Sequence, residues 1–234
     1  MRETESKMPT RSATMLGRTL RNVLVAPSDG FAGAIAAAER RARAGDSLPE
    51  GRAPYVLAAL GGAALMIAWL KIGGLLGGRD VDPGEFGLAE LGLALFVGAV
   101  LALLGQGVWG VTAPWLARSL KGDLSARNAR IVWGTAAWPQ VLIVALLLPL
   151  DLVIVGPHIF ATSRPGDSLA TGWASISVAV CVLVAMWSLS LFVRGVQVVA
   201  RLDLVRSIGA VVGAGACISL VTAAGSLTLL LVWG

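Results

Sequence analysis

The chain has 234 residues, 56% of them hydrophobic and 14% charged, with a formal net charge of +5 and a mean hydropathy of +0.78. Soluble domains carry about 25% charged residues, so a water-facing globular core is excluded as the natural home of this much Leu, Val, Ala and Gly, and a bilayer is the expected solvent. The positive balance does not imply nucleic acid, because basic residues flanking membrane spans give the same alkaline pI and no nucleic-acid-binding module is recognisable.

Residues 1–54 read as a cytoplasmic N-terminal arm and 55–234 as a membrane domain. Met1 to Thr14 is polar, unlike a secretory signal peptide. Met15, Leu16, Leu20, Val23 and Leu24 lie near helical spacing with Arg18 and Arg21 between them. That short basic amphipathic helix suits either an anionic leaflet or the inner face of a bundle. After Pro27, Ser28 or Asp29 is placed to cap a second helix over roughly Gly30–Ala44, with Phe31 and Ile35 on one face. Arg40, Arg41 and Arg43 gather at its end, where positive charge suits the helix dipole. Residues 45–54, with Gly45, Pro49, Gly51 and Pro54, read as a linker.

Five apolar stretches follow: Tyr55–Leu76, Leu88–Ala113 bounded by Pro114, Ile131–Gly156, Ala170–Val193 and Ser207–Trp233. Each exceeds the roughly 20 residues that cross a hydrocarbon core as a helix, and none alternates as a membrane strand would. The predicted fold is an all-α polytopic bundle of five transmembrane helices. Basic residues number nine in the arm, one in loop 77–87, four in loop 114–130, one in loop 157–169, three in loop 194–206 and none beyond. This alternation is the positive-inside pattern, and it predicts a cytoplasmic N-terminus and an outside C-terminus without a soluble domain after the fifth span. Tyr55, Trp109, Trp115 and Trp233 sit where aromatic side chains anchor at the headgroup level, with pocket lining as the alternative.

Lys71, Glu90 and Asp151 are the ionisable groups inside the apolar stretches, all near the outer ends. With His158 they form a candidate outer polar cluster, in which Lys71 pairs with Glu90 or Asp151. Two readings apply: a substrate, ion or proton site, or snorkelling to the interface plus one structural ion pair. Trp138-Pro139-Gln140 and Pro149 predict a kink in the third span, and Gln140 is placed to satisfy a freed backbone group. Gln106, between Gly105 and Gly107, is a similar polar group in the second span. Small residues repeat at Ala58 and Gly62, at Gly98 and Ala102, and at Gly209, Gly213 and Cys217. Such stripes let helix backbones approach closely, within one chain or across a homodimer, and the last is the best dimer candidate.

Cys181 and Cys217 lie in apolar stretches, as small buried hydrophobes rather than a disulfide. Asp80 and Asp82, beside Pro83-Gly84, are explained by turn chemistry. His158 has no second ligand nearby, and no nucleotide-binding or hydrolase motif is present. The expectation is therefore a non-enzymatic protein with no cofactor, no metal and no catalytic residues.

The segment Leu24-Val25-Ala26-Pro27-Ser28-Asp29-Gly30-Phe31, the short basic loop before a third span carrying Trp138-Pro139, and the run from Arg194 to Arg206 into the fifth span resemble the Yip-domain family, in its prokaryotic branch. The resemblance covers roughly residues 20–230. It implies a five-span membrane protein with a cytoplasmic N-terminus. Eukaryotic relatives act in Golgi and ER membranes and contact Rab-type GTPases, but their acidic-aromatic N-terminal signature is missing from this chain. Prokaryotic relatives are sometimes linked to export machinery, and the family brings no catalytic residues. The Ala/Gly/Leu/Arg bias fits a high-GC prokaryote and hence its plasma membrane.

The function so implied is to organise lipids, anionic at the cytoplasmic face, or membrane protein partners of transport or export machinery. The face expected to do so comprises Arg18, Arg21, Arg40, Arg41, Arg43, Lys121, Arg127, Arg130, Arg201 and Arg206. The alternative is a small transporter or permease that uses Lys71, Glu90, Asp151, Gln106 and Gln140.

Overall fold

The computed structural model describes residues 21–45, 51–75, 87–160 and 168–233, the last segment with side chains as far as Leu220. Arg18, Arg79, Asp80, Asp82, Glu85, Arg164, Asp167, the first half of the amphipathic stretch and the Trp233 side chain lie outside the described set.

Residues 21–25 are helical and lead into α1 (Pro27–Arg43). The long helices α2 (Ala53–Leu75) and α3 (Leu88–Ser119) follow. The third apolar stretch is segmented into α4 (Ala126–Ala136), α5 (Trp138–Leu142), a π-helical turn (Ile143–Leu147), α6 (Leu148–Ile154) and a 3₁₀ turn (Gly156–Phe160). The chain closes with α7 (Ser168–Ala200) and α8 (Leu204–Trp233). The described residues are all-helical, and four helices or helix runs are long and apolar enough to cross a membrane: Ala53–Leu75, Leu88–Ser119, Ala126–Ile154 and Leu169–Ala200. A multi-pass membrane protein follows from those four. Large side chains such as Trp69, Phe96, Leu104 and Met186 face outward from them, as lipid contact requires.

Several boundaries differ from expectation for physical reasons. The second stretch does not end at Pro114, because α3 runs on to Ser119. Its missing N–H frees a carbonyl within a helix already held on both sides, and membrane helices tolerate such a loss. The fourth stretch runs two turns past Val193 to Ala200. Basic residues assigned to loops, Arg118, Arg127, Arg130, Arg194 and Arg206, are carried on the terminal turns of helices. Ser28 and Asp29 do not cap the arm helix. It starts at Pro27, with no side-chain cap, and Asp29 occupies its first turn. Proline suits that position, since its absent N–H would be unsatisfied there anyway.

Small residues set the closest approaches. A Cβ on Gly62 would overlap the Gly98 carbonyl and the Ala102 methyl, and one on Gly98 would overlap the Gly62 carbonyl. The first two small-residue stripes therefore lock α2 against α3 within the chain. On the third stripe Gly213 faces Leu116, whereas Gly209 is exposed over open space. The arm is docked as well: Phe31 is 0% exposed, and its ring lies where a Cβ on Gly195 would sit. Val23 is equally buried in the same cluster, with Val132, Leu191 and Val196. The described part of the arm through Arg43 thus packs on the bundle through Val23 and Phe31.

Opposite signs are expected for two Gly→Ala changes. Gly92→Ala, where a Cβ meets open space, gains helix propensity and stabilises by roughly 0.5–1 kcal/mol. Gly62→Ala forces α2 from α3 and destabilises by about 1–3 kcal/mol. Thermal unfolding in detergent micelles measures both.

Candidate functional site

At the end of the bundle far from the basic loops, three elements converge on two charges. Lys71 lies eighteen residues along α2 from Ala53, about 27 Å at the helical rise. Its ammonium is paired with the Asp151 carboxylate of α6, and both side chains are 0% exposed. Lys71 Nζ also donates to Ser177 Oγ at 3.2 Å, and Trp173 Nε1 donates to Asp151 Oδ1 at 2.9 Å. Each charge therefore has a counter-charge and a further hydrogen bond. Buried ions require that arrangement if their desolvation is to be offset. Cys181 continues the Trp173–Ser177 face of α7 one turn on, against Ala64, Ala68 and Ile143; it and Cys217 are free thiols.

The aim of Asp151 depends on the segmented third stretch. Pro139 has no N–H for the carbonyl one turn back, and the α-helix is interrupted at Ala137, where the Gln140 N–H turns to the Ala137 carbonyl at 3.0 Å. Pro149 removes a second donor, just after the π turn in which the Leu148 N–H reaches the Ile143 carbonyl five residues back. That turn holds one residue more than an α turn, so it rotates every side chain after it. Asp151 thereby faces α2 and α7 instead of lipid.

Of the predicted outer cluster, the structure brings together Lys71 and Asp151 alone. Glu90 is exposed at the start of α3, where its Oε2 accepts the Gly87 N–H at 2.8 Å in the manner of a capping box. His158 sits half-buried in the 3₁₀ turn, with Nδ1 lacking a hydrogen-bond partner. Lys71 does not snorkel; it turns inward. Trp173 and Ser177 were missed by sequence reasoning, although their spacing of four, continued by Cys181, places all three on one helix face. Among the described residues no three His, Cys, Asp or Glu side chains group as metal ligands do.

The second polar set is at the basic end. Arg21, Arg40, Arg41, Arg43, Lys121, Arg201 and Arg206 are exposed. Arg127 and Arg130 are half-buried, and Arg130 donates to the Tyr55 hydroxyl at 3.3 Å, so these two belong partly to the bundle. Gln106 is buried, with Nε2 donating to the Arg130 carbonyl at 3.0 Å. The corner after α3 and the corner after α7 are joined by the Asp123 N–H, which donates to the Ala200 carbonyl at 3.1 Å. Gly122 is in contact with Leu202 across the same junction. Ser125 caps α4 through the Asn128 N–H, and Asp203 caps α8 through the Arg206 N–H. Both corners turn on a left-handed residue, Lys121 (φ 65°) and Arg201 (φ 55°).

Trp109 is not an interfacial anchor. It is 1% exposed, donates to the Ala129 carbonyl at 3.0 Å and packs against Trp133 and Phe192. The bulk of its ring and the small residues around it draw it inward, while Trp115, 60% exposed, faces outward as expected. The aromatic trio lines a cavity of about 470 Å³, which Gln140 also lines.

No protein-family model matches the chain, and comparisons with curated proteins and with solved structures give no match.

Replacing one partner of the buried pair leaves the other charge uncompensated. Lys71→Met and Asp151→Leu are each expected to destabilise by about 3–5 kcal/mol, and the double replacement by less than either single one. A double-mutant cycle on unfolding in micelles reads this as a large coupling energy.

Proposed function

We propose that this is a non-enzymatic, Yip-like integral membrane protein of a prokaryotic plasma membrane that gathers anionic lipids, and with them a partner from transport or export machinery, at its basic face. The N-terminus is cytoplasmic in this reading. The 30-residue α8 is the fifth span, which carries the C-terminus outside.

One observation carries the proposal. The left-handed position after a helix is the natural place for glycine, and other residues are strained there by roughly 1–2 kcal/mol. In this chain that position is taken at both basic corners by an exposed cation, Lys121 and Arg201. Local stability is lower than glycine would give, and the two cations stand on corners that the Asp123–Ala200 hydrogen bond joins. Arg206 adds to them, paired within its own turn with Asp203 at 3.2 Å. The docked arm holds Arg40, Arg41 and Arg43 at the end of α1. Each Lys or Arg near an anionic leaflet contributes about 1 kcal/mol of attraction, screened within a Debye length. The partner of that face is accordingly the phosphate of acidic lipids. A homodimer through Gly209, Gly213 and Cys217 is compatible with this role.

The transporter reading asks for polar groups along a shared cavity. Of Lys71, Glu90, Asp151, Gln106 and Gln140, only Gln140 lines the cavity described above, so the organising role has the better support.

The proposal predicts a separation of stability from binding. In bicelles of mixed phosphatidylcholine and phosphatidylglycerol, Lys121→Gly with Arg201→Gly raises the unfolding free energy by about 1 kcal/mol per site and lowers phosphatidylglycerol enrichment around the protein. Alanine at Arg40, Arg41, Arg43, Lys121, Arg201 and Arg206 together abolishes the enrichment and its salt dependence. Unchanged lipid enrichment and unchanged co-purifying proteins in that last variant would contradict the assignment.

A further inference from the structure

The cavity beside the aromatic trio has features that the basic face does not explain. It lies between α2, α3, the kinked third stretch, α7 and α8, and its lining includes Trp109, Trp133, Gln140, Ser188, Phe192 and Gly215. Its volume of about 470 Å³ is within the roughly 300–1,000 Å³ usual for small-molecule sites. One end is walled by the aromatic trio, with ring centroids 4.5–5.8 Å apart in tilted and edge-on contacts. Leu65, Leu189 and Val212 also line it, and they are 45%, 56% and 64% exposed on the outside of the bundle. The opening therefore faces sideways, towards the surface that lipid would cover.

Ser188 distinguishes this cavity from a packing void. It is 5% exposed, and its hydroxyl has no hydrogen-bond partner. Four other helical serines return their proton to the preceding turn: Ser119 to Trp115, Ser175 to Thr171, Ser190 to Trp187 and Ser207 to Asp203. Ser188 does not, and it lines the cavity instead. An unpaired hydroxyl in an apolar setting is costly, and a mostly apolar cavity is a poor host for a water that needs several polar partners. The missing partner is best supplied by the occupant.

We propose that this cavity binds a neutral bilayer lipid, a long hydrocarbon or prenyl chain that carries a hydroxyl or carbonyl to hydrogen-bond with Ser188 Oγ. Three constraints select that class. The lining holds no charged side chain, so a phospholipid headgroup would be buried without a counter-charge. Ser188 lies twelve residues before the end of α7 at Ala200, about 18 Å inward at the helical rise, a depth that only a small uncharged polar group reaches readily. The sideways opening admits a chain from the surrounding lipid without passage through water.

Photo-crosslinking in nanodiscs tests the site. The probes are a long-chain fatty alcohol carrying a diazirine and a phosphatidylglycerol carrying the same diazirine on its chain. The alcohol is expected to label 136–140 and 185–192, saturably and in competition with unlabelled alcohol, while the phospholipid labels only outward positions. Gly215→Phe fills the cavity, since a Cβ there meets open space, and should abolish the labelling. Ser188→Ala should weaken alcohol binding about tenfold, the loss of one buried hydrogen bond. Equal labelling of those segments by the phospholipid, unsaturable labelling, or wild-type binding in Ser188→Ala would overturn the proposal. Should Gly215→Phe fail to fold, Ser188→Ala and the two-probe comparison on the unaltered protein still decide.

Discussion

Two opposite charges with no access to solvent impose the tightest constraint on this bundle. Lys71 and Asp151 are eighty residues apart in sequence and lie on different helices, yet neither is tolerable in a low-dielectric interior without the other. The effective penalty is several kcal/mol per ion. Their meeting requires α2 and α6 to lie side by side, and Trp173 and Ser177 bring α7 to the same point. The Pro139 break and the π turn allow that meeting, because a straight α-helix over the third stretch would carry Asp151 round to another face. Irregular backbone in this segment is thus tied to a particular electrostatic contact.

Away from that cluster the bundle is held by close approach rather than by charge. Gly62 and Gly98 bring α2 and α3 to backbone contact, and Gly195 opens a seat for Phe31. The two corners at the basic end dock through one backbone hydrogen bond from Asp123 to Ala200. The two ends differ in how they treat charge. At one, ions are paired, buried and surrounded by hydrogen bonds. At the other most of them are exposed, on helix ends and on the two corners. Function is accordingly sought where charge meets solvent, and the interior ion pair is assigned to specifying the packing of three helices.

The all-helical membrane class was legible in the sequence because it depends on composition and length, which survive any detail of packing. The kink at Pro139 was legible because a missing N–H acts locally. The π turn was not, since Ile143–Leu147 is an ordinary apolar run and nothing within it marks a wider turn. The run of α3 through Pro114 and the burial of Trp109 were likewise decided by neighbouring helices. Glu90 was grouped with the other intramembrane charges on position alone, but a backbone N–H three residues earlier is a closer partner than any distant cation. Trp173 and Ser177 went unnoticed because neither is ionisable; their spacing of four was the available signal. Ser188 was hidden for a different reason. Nothing in a sequence separates a serine that bonds its own helix from one that does not.

The central claim is that the charged cluster is a sealed structural contact and that the basic face is the working surface. Thiol accessibility tests it directly. With Cys181 and Cys217 replaced by alanine, single Ser177→Cys and Arg201→Cys variants are treated with a membrane-impermeant thiol reagent in sealed vesicles of each orientation. The account predicts no labelling at position 177 from either side and full labelling at position 201 from one side only. Labelling of position 177 from water would show that the ion pair lines a hydrated path, and the assignment of the interior charges to structure would be contradicted.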